Sequence, residues 1–198
     1  MMRGMIAIAM AGALMVTPVM VQAGWRLIEK DVPVEVAKKK MTVTPAQQWN
    51  RWTRRPGKRV EVWTLDGTGL NEVAFFGGVQ EGEPIFKERQ KKTKPLPKFT
   101  GDMLLTDLVD LYESSSRIVL DTALFEVDNI EPAKLSGNDA VRFNFHYTIR
   151  GDELRRNGEA VATIIDGELY MVTYVAPVIH YYDRDIETFR DLVETVKI

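Results

Sequence analysis

Two histidines, His146 and His180, are the whole imidazole supply of a 198-residue chain that has no cysteine. That inventory bounds the chemistry. There can be no thiol nucleophile, no thiolate metal site and no disulfide. His180 stands in APVIHYYDRDIETF (176–189), beside Tyr181, Tyr182 and the cluster Asp183-Arg184-Asp185. Facing a serine, His180 and one of those aspartates would supply the base and the orienting carboxylate of a hydrolytic triad. The serines available are Ser114, Ser115, Ser116 and Ser136, but no G-x-S-x-G elbow exists, and 114–116 reads as the frayed end of a helix. Zinc would need a carboxylate-rich ligand set, because His146 and His180 share no i, i+4 spacing. The acids of DNIEPAKLSGND (128–139) lack a calcium-loop register. No glycine motif cradles a phosphate, and no carboxylate pair stands out for glycoside hydrolysis. No catalytic residue, metal ligand or cofactor is therefore assigned, and His180, Tyr181 and Tyr182 stand as candidate binding residues.

The second candidate site is a basic run. KERQKKTKPLPKF (87–99) sets Lys87, Arg89, Lys91, Lys92, Lys94 and Lys98 against one acid, Glu88. Lys87, Arg89, Lys91, Lys92 and Lys94 are the residues by which it could meet an envelope protein or an anionic membrane surface. The alternative is a solvated loop that keeps the chain soluble. Nucleic acid is not expected, since no aromatic residues interleave with the lysines as stacking platforms. Trp49, Trp52 and Trp63 form either a partner-binding patch or, as tryptophans near strands commonly do, part of the core. Charge is uneven along the chain: residues 24–98 carry 16 Lys/Arg against 9 Asp/Glu, and residues 99–198 carry 9 against 19. Such a dipole matters for association only if the two halves occupy separate surfaces.

The N-terminus sets the compartment. MMRGMIAIAMAGALMVTPVMVQA (1–23) has one basic residue, an apolar run from Met5 to Val16, a helix-breaking Pro18 and small residues before a cleavage point at Ala23. It reads as a secretory signal peptide, too short in its apolar core to span a bilayer. Residues 24–198 are then expected to form one periplasmic or secreted domain, long enough to build a core without disulfides. The later apolar stretch YMVTYVAPVI is interrupted by Thr173 and Pro177, so no transmembrane segment is expected in the mature chain.

Several elements must position these residues. VPVEVAKKK and MTVTP predict an edge strand leading to a turn at Pro45. KRVEVWTL and NEVAFFGGV are strands around Asp66-Gly67, with a bulge at Gly77-Gly78. TGDMLLTDLVDLYESS predicts a helix with Leu104, Leu105, Leu108, Val109 and Tyr112 on its apolar face. VRFNFHYTI alternates, with Val141, Phe143, Phe145 and Tyr147 on one side. EAVATII and ELYMVTYV flank the hairpin signal Asp166-Gly167, and the second is apolar on both faces, as a central strand should be. Asp183 is the expected N-cap of a final helix that buries Ile186, Phe189, Leu192, Val193 and Val196. Strands, tight hairpins and two principal helices predict an α+β domain built on a mainly antiparallel, twisted sheet.

MTVTPAQQWNR, VEVWTLDGTGLNEVAFFGGV, GEPIF, LPKFTGDML and GELYMVTYVAPVIHYYDRD, taken in order, resemble an uncharacterised family of exported proteins from Gram-negative bacteria, periplasmic or lipoprotein-like. Lipoprotein relatives carry an anchoring cysteine that this chain lacks. The pattern of elements is also similar to the Mog1/PsbP-like α/β/α sandwich. Neither resemblance transfers an activity or a site residue. The expectation is an exported, non-catalytic binding or scaffolding module, with an enzyme centred near His180 as the alternative.

Overall fold

In the computed structural model, residues 24–198 are described apart from Arg55 and Ala123, and the expected signal peptide at 1–23 lies outside them. Among the described residues the strands are β1 (Trp25–Ile28), β2 (Val34–Val36), β3 (Met41–Val43), β4 (Trp49–Trp52), β5 (Val60–Thr64), β6 (Glu72–Val79), β7 (Phe125–Leu135), β8 (Asn138–Tyr147), β9 (Arg156–Ile165) and β10 (Glu168–Pro177). The helices are α1 (Asp107–Leu120) and α2 (Tyr181–Glu194). Eight strands form one antiparallel sheet in the order β1-β4-β5-β6-β10-β9-β8-β7. Helix α1 lies on one face and α2 on the other, the α+β sandwich that the pattern of elements predicts.

The period-2 signal sorts the two faces. Val141, Phe143, Phe145 and Tyr147 of β8 are all buried on the α1 side. In β10, Leu169 and Met171 pack toward α1 while Tyr170, Val172 and Tyr174 pack toward α2. Such a strand must be central, and it runs between β6 and β9. Its hairpin to β9 turns at Asp166 and Gly167, both with positive φ (51° and 72°), as a tight turn matched to strand twist requires. Opposite, Leu169 pairs with Val79 but Tyr170 with Gly77, so Gly78, at φ 65°, is the extra residue of the expected bulge.

Both helices start elsewhere than expected. Leu104 is 67% exposed, because Asp107 accepts a hydrogen bond from the Leu104 N–H (2.8 Å) and closes a turn before α1 begins. The helix then continues through Ser114–Ser116, which are not a frayed end: Ser115 and Ser116 are buried, and Arg117 pairs with Glu113 one turn back (2.7 Å). Helix α2 begins at Tyr181 after His180, two residues before the anticipated cap at Asp183. Its start is fixed from outside. Asp185 is buried and accepts from Arg184 Nε (2.6 Å) and Asn71 Nδ2 (3.0 Å), and Arg184 also bonds Asp66 in the β5–β6 loop. The apolar stripe expected for α2 is buried in full.

Residues 34–43 form a separate hairpin, β2–β3, in place of an edge strand of the sheet. It is held by Lys40 Nζ on Glu168 (2.7 Å) and by the Ala37 N–H on Glu61 (3.3 Å). Strands β1, β4, β5 and β6 come from the basic half of the chain and β10, β9, β8 and β7 from the acidic half. The halves lie side by side across the sheet and meet at the β6–β10 seam. Trp49 and Trp63 are core residues, 1% and 0% exposed, so Trp49, Trp52 and Trp63 are not exposed together; half-buried Trp52 stacks instead on half-buried Trp25 (6.4 Å).

Under α2 a charged group is buried. Glu159 of β9 is 0% exposed and bonds Arg190 of α2 (2.7 Å) and Asn144 of β8 (3.2 Å), with Arg142 at 3.5 Å. Removing one partner of such a pair strands a desolvated charge. Arg190→Ala should therefore destabilise the fold by about 2–3 kcal/mol in urea unfolding; a loss under about 0.5 kcal/mol would mean that Arg142 carries the pairing by itself.

Candidate functional site: a cavity beneath helix α1

Alternation along β6 and β10 places Glu72, Ala74 and Phe76, and Thr173, Val175 and Pro177, on the α1 face. The side chains at the start of this row are short, and α1 does not reach over all of it. The result is a cavity of about 350 Å³. Its floor includes Val60, Ala74 and Val175, its roof Tyr112, Ser116 and Val119 of α1, and its lip Phe86, Lys87 and Arg89 of the basic loop. A cleft of this size with an apolar lining and few polar groups is the usual form of a small-molecule site.

The polar groups inside are few and unequal. Tyr112 shares hydrogen bonds with Thr173 and Ser116, and burial pushes its phenol far above the ordinary range. Burial does the same to Tyr147. Glu72 differs from both: among the described residues its carboxyl has no hydrogen-bond or ion-pair partner. A water-sized molecule reaches it through the cavity, so the residue counts as half-buried by surface, yet protein atoms surround it on nearly every side. Desolvation without a compensating charge raises its pKa from 4.5 to about 7. Arg156, the lining cation from β9, is already taken by Asp152 (2.8 Å) and the Leu154 carbonyl (3.3 Å). The site can therefore take up or release one proton near neutrality, and it can offer a carboxylate to a group that enters.

The candidate residues read from the sequence fall in two places. Lys87 and Arg89 reach the cavity lip, and both also border an adjoining cleft of about 240 Å³ with Lys94, Ile118 and Val119. Lys94 pairs with Asp121 at the end of α1 (2.6 Å), while Lys91 and Lys92 point into solvent. His180, Tyr181 and Tyr182 lie at the start of α2, where they line none of these cavities. The His180 ring packs edge-on against Tyr181 (5.2 Å), Arg184 covers the Tyr181 ring (5.0 Å) and Tyr182 stacks on Tyr174 (5.8 Å). Among the described residues no carboxylate hydrogen-bonds His180, and Ser115 and Ser116 belong to α1 on the opposite face of the sheet, so no triad forms there with them. These side chains pin a helix to a sheet.

Sequence reading missed Glu72. It stands at the polar end of NEVAFFGGV and looks like a solvated strand start. The available signal was its parity with Ala74 and Phe76, two residues of the buried face.

The pH dependence follows from the direction of the shift. A carboxyl whose folded pKa is raised contributes stability that is complete below about pH 4.5 and is lost as pH rises through about 7. Glu72→Gln should stabilise the fold by roughly 2–3 kcal/mol at pH 8, from about 1.4 kcal/mol per pKa unit, and change it little at pH 4.5. Thermal melts across that range check this, and equal melting shifts at both ends would refute the buried-carboxyl account.

No family model matches the chain, and no curated protein does. Solved structures do. The solution structure of cyanobacterial PsbP (CyanoP) from Synechocystis sp. PCC 6803 aligns at TM-score 0.52 and 12% identity, over 94% of this chain and 99% of that one. A crystal structure from Bacteroides thetaiotaomicron VPI-5482 aligns at TM-score 0.51 and 6% identity over 86% of this chain, which spans about half (48%) of that protein. The Saccharomyces cerevisiae Ran-binding protein Mog1p aligns at TM-score 0.47 and 9% identity, over 86% and 96% of the two chains. Identities this low speak of architecture alone, and the architecture is the Mog1/PsbP-like sandwich: a twisted antiparallel sheet between two helices.

Proposed function

We propose that the chain is an exported, non-catalytic binding module of the cell envelope, one domain from residue 24 onward, whose ligand site is the cavity beneath α1. The observation that carries this reading is the cavity itself, about 350 Å³, mainly apolar and furnished with one unpartnered carboxyl. A cleft with an apolar lining and a few convergent polar groups is the usual form of a ligand site, and among the described residues this carboxyl has no hydrogen-bond or ion-pair partner. Export rests on the signal-peptide features of residues 1–23, and among the described residues no helix is long and apolar enough to cross a membrane. The basic loop supplies the approach. Lys87 and Arg89 at the lip, with Lys91 and Lys92 beyond it, favour an anionic membrane surface as the place where the mouth faces. The enzyme reading centred on His180 gains no support from the cavities described above, which that side chain does not line, and among the described residues no carboxylate hydrogen-bonds it.

An environment-sensitive apolar dye such as N-phenyl-1-naphthylamine tests the site. The wild-type chain should bind it saturably at micromolar concentration. Val175→Phe, which projects a ring into the floor, should weaken binding at least tenfold while leaving the melting temperature within a few degrees. Unchanged dye affinity in a folded V175F protein would remove the cavity from consideration.

A further inference from the structure

The structure assigns a chemical class to the ligand: we propose that this cavity takes an apolar amine, its ammonium seated on the Glu72 carboxylate and its hydrocarbon body along Val60, Ala74, Phe76 and Val175. The proposal rests on the reading of the cavity as a ligand site and adds what that ligand must carry.

The fold pairs each of its fully buried acids among the described residues. Glu61 bonds Trp63 Nε1 (2.8 Å) and pairs with Arg51 (2.6 Å). Glu159 pairs with Arg190, and Asp185 with Arg184. Each has a cation within reach. Among the described residues Glu72 has none, although cations line its cavity. Arg156 of β9 is held by Asp152 and a carbonyl, and Lys87 and Arg89 of the loop extend into solvent. From α1 and β8 the titratable groups are Tyr112 and Tyr147, both shifted upward by burial and so neutral across the physiological range. The Thr173 and Ser116 hydroxyls serve Tyr112. Since no described cation is seated on Glu72, we assign its complement to the ligand.

Charge selects among ligands. An ammonium forms a charge-assisted hydrogen bond to a carboxylate in a medium of low dielectric constant, where that bond is strongest. An alcohol can donate a hydrogen bond to the carboxylate but brings no charge to neutralise it, and a carboxylate forces Glu72 to stay protonated. The lip cations are exposed and hydrated, whereas Glu72 is enclosed by protein, so the carboxylate is the less screened charge for a group seated inside. Size is limited too. A void of about 350 Å³ holds roughly a dozen water-sized volumes, enough for a chain of about eight to ten carbons or one substituted ring. Binding is linked to a proton: the amine takes the ionised form of Glu72, so affinity climbs with pH up to about 7 and then levels.

Octylamine, 1-octanol and octanoate, matched in length, test this by displacing the bound dye from the wild-type chain between pH 5.5 and 8.5. At pH 8 octylamine should displace it at a concentration at least tenfold below that of either other probe, and the advantage should shrink several-fold at pH 5.5. Glu72→Gln should abolish the amine advantage with dye binding intact, and Glu72→Asp should keep most of it. Saturating octylamine should also raise the wild-type melting temperature more at pH 8 than at pH 5.5, a readout that needs no variant. If octanoate matches octylamine at pH 8, or if E72Q leaves the ratio unchanged, the amine assignment falls while the cavity remains a ligand site. If neither dye nor any octyl probe binds, the ligand-site reading falls first and takes the amine assignment with it.

Discussion

An eight-stranded sheet needs cover on both faces, and one helix cannot supply it. Seven gaps of about 4.8 Å make such a sheet roughly 34 Å wide, whereas a helix with its side chains is about 10–12 Å across. Each face here has one principal helix of 14 residues. The remainder must be roofed by other parts of the chain. On the α2 face the β2–β3 hairpin does this, burying Val36, Met41 and Val43. On the α1 face the segment between β6 and α1 does it, with Ile85, Leu96 and Phe99 as its buried residues. Two prolines and a run of lysines in that segment prevent regular structure. Irregular cover interlocks less completely than a helix, and the cavity opens where α1 meets this loop.

The two faces differ in how they treat charge. Beneath α2 and the hairpin, Glu61, Glu159 and Asp185 are buried, and each is matched by an arginine. Those pairs tie separate elements together: β4 to β5, β9 to α2, and the start of α2 to the β5–β6 loop through Asp66 and Asn71. Beneath α1 the lining is aromatic and aliphatic, and its one interior carboxyl is left unmatched. A chain that pairs its buried acids so consistently on one face does not lack the means to pair Glu72. Arg156 lines the same cavity and is bonded elsewhere.

Sequence periodicity carried the interior of the fold and failed at its edges. Strands β8, β9 and β10 and helix α2 are legible because burial imposes period 2 or 3.6 on their residues. Strand β7 escapes notice because it is an edge strand with exposed acids and Pro132, tolerable only where part of the backbone faces solvent. Strands β1 and β4 are four residues each, too short to show a period. The site suffered from a different bias. His180 drew attention because histidine is scarce here, yet scarcity in composition says nothing about position, and its loop turned out to fasten α2. The basic loop was recognisable as a loop, but its nearness to Glu72 depends on pairing between distant strands. Nothing local in NEVAFFGGV marks its glutamate as enclosed.

Glu72 thus stands where the levels of the design disagree. Strand propensity, hairpin chemistry and helix amphipathicity all point to one structure, and none of them calls for a carboxylate at position 72. A desolvated carboxyl lowers the stability of the fold at neutral pH and does nothing to specify it. Where local choices otherwise reinforce one another, such an exception belongs to function more readily than to folding. The cavity explains why the exception is tolerable, since water can reach the acid when no ligand is present. Its lack of a cation partner among the described residues is what the proposed ligand would answer: a carboxyl already paired would have nothing to offer.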